Sequence, residues 1–75
     1  MYKFKVLAHT VRAAQINKSG EVDMDGKKLV GDTGYWIVID ENTNEQTLWP
    51  DSEFRKNFAP ADDSATEYLR QAIKK

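Results

Sequence analysis

Hydrophobic and polar positions alternate from the first residues. Tyr2, Phe4, Val6 and Ala8 fall on one face and Lys3, Lys5, Leu7 and His9 on the other, the period of a half-buried strand with its aromatics inward. The alternation blurs from Thr10 to Ile16. As a strand, that stretch buries either Val11, Ala13 and Gln15 or Arg12, Ala14 and Ile16; as a helix it aligns Leu7, Val11, Ala14 and Gln15. With nothing to cap a helix here, a strand is the better reading, bent near His9–Thr10. Asn17-Lys18-Ser19-Gly20 then makes a turn. Val22 and Met24 alternate inward as far as Asp25-Gly26, a dipeptide suited to a type I′ turn because both central residues need positive φ. Folding about that turn sets Val22 opposite Leu29 and Asp23 opposite Lys28, apolar against apolar and acid against base.

A second break, Gly31 to Gly34, precedes the most apolar segment. Tyr35, Ile37 and Ile39 share one face of it and Trp36 and Val38 the other. After a polar tip, Glu41 to Asn44, the chain returns through Glu45–Trp49, and a symmetric register pairs Trp36 with Trp49 and Ile37 with Leu48. Large apolar groups on both faces require cover on both, so this hairpin sits centrally or curls into a small barrel. Pro50 ends the strand. Asp51 is placed to N-cap a short helix with Phe54 and Phe58 on one side, stopped by Ala59-Pro60. Ser64-Ala65-Thr66-Glu67 matches a capping box. The helix behind it carries an apolar stripe of Ala65, Tyr68, Leu69, Ala72 and Ile73, and Lys74 and Lys75 suit the negative end of its dipole. The expected fold is α+β: a small curved antiparallel sheet or open barrel of about five strands. Its strands lie within 2–16, 21–25, 27–31, 35–40 and 45–49, with helices at about 51–58 and 64–74 in a single domain.

Composition narrows this picture. A chain of 75 residues forms a modest core, one that holds only about 3–5 kcal/mol unless oligomerisation or a partner adds to it. Hydrophobic content of 40% and charge of 31% are globular rather than disordered values. A net charge of −1 argues against a general nucleic-acid coat protein and against an acidic DNA mimic. The charge is uneven: residues 1–20 hold Lys3, Lys5, Arg12 and Lys18 and no acid. Without cysteine there are no disulfides and no thiolate metal sites. No apolar stretch follows Met-Tyr-Lys-Phe-Lys as a signal peptide requires, and no run is long enough to span a bilayer, so a cytoplasmic protein is expected.

Candidate chemistry is sparse. His9 is the single histidine, which removes histidine triads and two-histidine metal sites. Asp40-x-Asn42-x-Asn44 resembles the start of a calcium loop, but Glu45 stands where glycine is needed and Asp51 where a bidentate glutamate is needed. The glycines at 26, 31 and 34 lack the Lys-Ser/Thr of a phosphate loop. No catalytic residue, metal or cofactor is therefore expected. Two binding surfaces remain. Lys3, Lys5 and Arg12 form a candidate nucleic-acid surface, although alternation puts the lysines opposite Tyr2 and Phe4, where they read as a solvated row guarding a strand edge. Tyr35, Trp36 and Trp49 form a candidate partner-binding patch, since tryptophan is enriched in hot spots; the competing reading packs both tryptophans under the last helix.

Four stretches in order carry a family resemblance: Val11-Arg12-Ala13-Ala14-Gln15, Thr33-Gly34-Tyr35-Trp36-Ile37-Val38, Asn44-Glu45 and Phe54-Arg55-Lys56-Asn57-Phe58-Ala59-Pro60. Together they resemble small phage and prophage proteins named for a Pro-Gly-Asp-Tyr-Gly-like motif, with Thr33 in place of the proline and Ala59 in place of a glutamate. The resemblance implies a non-enzymatic accessory protein, a monomer or small homo-oligomer in the bacterial host cytoplasm, that binds and modulates a host or defence protein. A small-barrel nucleic-acid binder is the alternative, and a small-molecule binder using the tryptophan hairpin is the third reading.

Overall fold

The computed structural model describes residues 1–7, 9–24 and 26–74, with Met24 described by its backbone alone. The elements in order are β1 (Tyr2–Val6), β2 (His9–Gln15), β3 (Glu21–Met24), β4 (Lys27–Val30), β5 (Trp36–Asp40), β6 (Gln46–Trp49), α1 (Asp51–Asn57), β7 (Ala59–Pro60) and α2 (Asp63–Gln71). The fold is α+β. Five antiparallel strands form an open sheet in the order β6-β5-β2-β1-β7, and β3 and β4 form a separate two-stranded ribbon. The ribbon therefore does not join the main sheet, and the fifth strand is the short β7 pairing Phe4 with Pro60.

Pleating gives the sheet two unlike faces. On the first, Phe4, Val11, Ala13, Trp36 and Val38 form a buried cluster with Phe54, Phe58 and Ala65, with Tyr68 and Leu69 of α2 packed against it. On the second, Ala14, Ile16, Ile37 and Ile39 are buried with Val22 of the ribbon, and Leu29 packs against them. Both faces of β5 are thus covered, as their apolar content requires. Gly31 makes the ribbon's close approach feasible, because a Cβ there would lie 2.6 Å from Ile16 Cδ1.

The hairpin registers follow the pattern of the sequence. Trp36 stands opposite Trp49 and Ile37 opposite Leu48, and Val22 opposite Leu29 and Asp23 opposite Lys28. Asp25 of that turn, the inward placement of Ala8 and Met24, and Lys75 at the helix end lie outside the described residues. Other local expectations are corrected. The break between β1 and β2 is not at His9–Thr10: Val6 pairs with His9 around a tight turn in which Leu7 has φ 53°. Residues closing such a turn share a face, so His9 lies with Val6 and not with Lys3 and Lys5. The α2 cap is Asp62 rather than Ser64: its carboxylate accepts the Ala65 N–H at 2.8 Å, and Glu67 pairs with Arg70 at 3.1 Å instead of closing a capping box. The helix ends at Gln71, so Lys74 lies beyond its last turn.

Candidate functional site

The helix-covered face is internally satisfied. Trp36 is fully buried. Its ring stacks on Phe54 at 4.0 Å between centroids and meets Phe4 and Tyr68 edge-on at 5.6 and 5.7 Å. A buried indole N–H needs an acceptor, and Trp36 Nε1 donates to Asp51 Oδ1 at 2.8 Å. Arg55 Nε donates to both oxygens of the same carboxylate at 2.9 and 3.0 Å. Asp51 therefore does not cap α1: Pro50 holds the cap position and no side chain bonds there. Gln15 is a second buried polar centre. Its amide donates to the Gly34 and Ile73 carbonyls and accepts the Ile73 N–H, fastening the chain beyond α2 to β2. Tyr68 accepts the Gln15 N–H at 2.9 Å. Burial raises the Tyr68 phenol above its ordinary value of 10.0, opposed by its hydrogen bond to the Gln15 backbone.

The other end of the same face is open. The β1–β2 and β5–β6 tips meet there around a recess of about 200 Å³, with Val11, Val38, Trp49 and Phe58 among its walls and His9, Asp40, Glu45 and Thr47 as its polar residues. His9 Nε2 lies 3.6 Å from Asp40 Oδ2, with both side chains partly exposed. Trp49 meets Phe58 edge-on at 5.1 Å and donates its indole N–H to Thr47 Oγ1 at 3.0 Å. The tip is held by its own polar residues: Asp40 Oδ1 accepts the Asn42 N–H, Thr43 Oγ1 accepts the Glu45 N–H, and Asn44 takes φ 60°. Asp40, Asn42 and Asn44 thus serve a turn, and among the described residues no group of three His, Asp or Glu side chains is arranged to hold a metal.

β6 is the sheet edge beside this recess. Asp40 N–H donates to the Glu45 carbonyl at 2.9 Å. By the antiparallel alternation, Thr47 and Trp49 then also bond β5, while the backbone groups of Gln46 and Leu48 point outward. Gln46, Thr47 and Leu48 are exposed, Leu48 at 55% and the neighbouring Val30 of the ribbon at 82%. Between Leu48 and Val30 runs a second recess of about 250 Å³, floored by Ile16, Leu29 and Ile37. The opposite edge differs: β7 is two residues long and contains Pro60, which cannot donate to an added strand.

The expected site residues separate. Trp36 is core and offers no surface to a partner, because its indole is consumed by Asp51 and its faces by aromatic rings. Trp49 and Tyr35 are half-buried, Trp49 on the helix-covered face and Tyr35 against the ribbon cluster. Lys3 and Arg12 are direct cross-strand neighbours with Lys5 two residues along, so the basic residues do share one face. Phe4 is buried and Tyr2 is stacked on Tyr68 at 4.0 Å, both on the other side of β1. Sequence reasoning missed the joining of His9, Asp40 and Glu45, which depends on the turn at Leu7. It paired Leu48 with Ile37 but did not read the leucine as exposed. Among the described residues no helix is long and apolar enough to cross a membrane. Compared with protein-family models, curated proteins and solved structures, the chain matches none.

Proposed function

We propose that this chain is a non-enzymatic binding protein that docks an extended strand of another protein on β6. The observation that carries the reading is the contrast between the two sheet edges. β7 is short and closed by proline, whereas β6 presents outward backbone groups at Gln46 and Leu48, with no lysine or proline among its four residues. An unguarded edge is the substrate of β-strand addition, in which main-chain hydrogen bonds supply affinity and alternate side chains supply selectivity. The resemblance to small phage and prophage proteins supports a host or defence protein as the partner and the host cytoplasm as the place of encounter. Nucleic acid is less well supported: Lys3, Lys5 and Arg12 share a face, but Arg12 is half-buried and partnered, and the aromatics of β1 lie on the other side.

The test is hydrogen exchange and amide chemical-shift mapping of the protein with extended heptapeptides. Protection of Gln46 and Leu48 amides on binding supports the reading. Its loss with a peptide N-methylated at alternate residues does so again. Binding that leaves those two amides unmoved overturns it. So does a concentration-dependent dimer that Leu48→Lys abolishes, which would assign the edge to a second copy.

A further inference from the structure

The edge carries different chemistry on its two sides, and this specifies the strand it takes. Residues of an added strand that stand opposite Thr47 and Trp49 point to the helix-covered face; those opposite Gln46 and Leu48 point to the ribbon face. On the helix-covered side lies the recess with the Trp49 and Phe58 rings in its wall and Asp40 and Glu45 as its acids. On the ribbon side lies the apolar recess between Leu48 and Val30. We infer that the docked segment alternates basic and aliphatic residues, with a lysine or arginine entering the Trp49 recess. The inference rests on the β6 docking reading.

Charge and shape carry it. A lysine stem can lie along apolar walls while its ammonium stays at a polar rim. The Trp49 and Phe58 rings favour a cation over an anion, and the Asp40 and Glu45 carboxylates repel a glutamate in the same place. Asp40 Oδ2 lies 3.6 Å from the His9 ring while its Oδ1 accepts the Asn42 N–H, and the exposed Glu45 adds a second carboxylate at the mouth. A second copy of this chain fits poorly. Its own β6 would bring Glu45, Thr47 and Trp49 to that face, acid against acid and no cation. On the other side, Leu48 and Val30 are aliphatic and exposed, so the opposite parity is filled by valine, isoleucine or leucine.

The experiment uses three blocked heptapeptides of alternating composition: lysine with valine, glutamine with valine, and glutamate with valine. Each is titrated into the whole protein, reading the Trp49 indole N–H separately from the Gln46 and Leu48 amides. The lysine peptide is expected to bind about tenfold or more tighter than the glutamine peptide, with the glutamate peptide weaker again. It alone should shift the Trp49 indole strongly. Glu45→Gln, at an exposed position, should remove most of the difference between the lysine and glutamine peptides, and Glu45→Lys should invert the order of the lysine and glutamate peptides. Equal affinities with the Gln46 and Leu48 amides protected would overturn the basic-strand inference and leave the docking reading standing. Failure of all three peptides to perturb those amides would overturn both. A preference for lysine that survives Glu45→Gln combined with Asp40→Asn would place the cation elsewhere and sink the inference.

Discussion

The two faces of the sheet are covered in different ways. The helix-covered face is built from rings, with Phe4, Trp36, Phe54 and Phe58 packed at centroid spacings from 4.0 to 5.6 Å. It is locked by polar groups that meet inside it, Asp51 with Trp36 and Arg55, and Gln15 with Tyr68 and Ile73. The buried residues of the ribbon face are aliphatic, with Tyr35 packed at their margin, and its cover is one small hairpin. Rings and buried hydrogen bonds fix one arrangement, since each polar group has few acceptable partners. A two-stranded ribbon is too narrow to cover a five-stranded sheet. It seals Ile16 and Ile37 and leaves Leu48 at the edge exposed. The ring face is therefore the more tightly locked of the two, and exposed sheet edge remains where the cover of both faces gives out, along β6.

The sharpest way to break this comparison is Trp36→Ala. It should cost about 3–5 kcal/mol, as large as the whole stability of a domain this size, and circular dichroism should find the variant unfolded. A folded Trp36→Ala protein would mean that the ring face does not dominate. Asp51→Ala comes next. It strands the Trp36 indole N–H and half-buried Arg55, at about 1.5–3 kcal/mol in urea unfolding. A loss within 0.5 kcal/mol, roughly the size of a surface substitution, would show that the lock contributes nothing. On the ribbon face, Ile37→Val should cost about 0.5–1.5 kcal/mol in the same measurement.

A pH test isolates the ring face. Burial favours the neutral Tyr68 phenol, so its folded value lies above the unfolded 10.0. The unfolded chain then releases this proton first as pH rises. The contribution is complete below about pH 10, the ordinary tyrosine value, and is lost as pH rises through the folded value. Urea midpoints of the wild type should fall over that alkaline range, and Tyr68→Phe should flatten the fall. An unchanged slope would mean that the phenol does not titrate with folding. The smallest effect on stability is expected at the edge. Leu48→Lys should change unfolding free energy by no more than about 0.5 kcal/mol, yet remove strand docking. Loss of fold in Leu48→Lys would show that the edge is structural.

The hairpins were legible in the chain because their registers are local. Asp-Gly between alternating residues fixes Val22 opposite Leu29, and a polar tip between an apolar strand and a symmetric return fixes Trp36 opposite Trp49. The candidate site was less legible. Leu7 turns the chain in a left-handed conformation that leucine rarely adopts, so no glycine or asparagine marked the place. Missing that turn put His9 on the wrong face and hid its approach to Asp40. Asp51 read as a helix cap, because its position suits one and the indole that claims it lies fifteen residues earlier.

By itself, then, the sequence determined the strand-rich α+β composition, the two hairpin registers and the need to cover both faces of β5, since each follows from periodicity and turn chemistry within a few residues. Only the tertiary structure decided which tryptophan is sealed and which is left at a rim, that β3 and β4 leave the main sheet, and that β6 rather than β7 is the open edge. Those outcomes depend on competition among distant partners for the same buried space and the same hydrogen bonds, and no local pattern records who wins it.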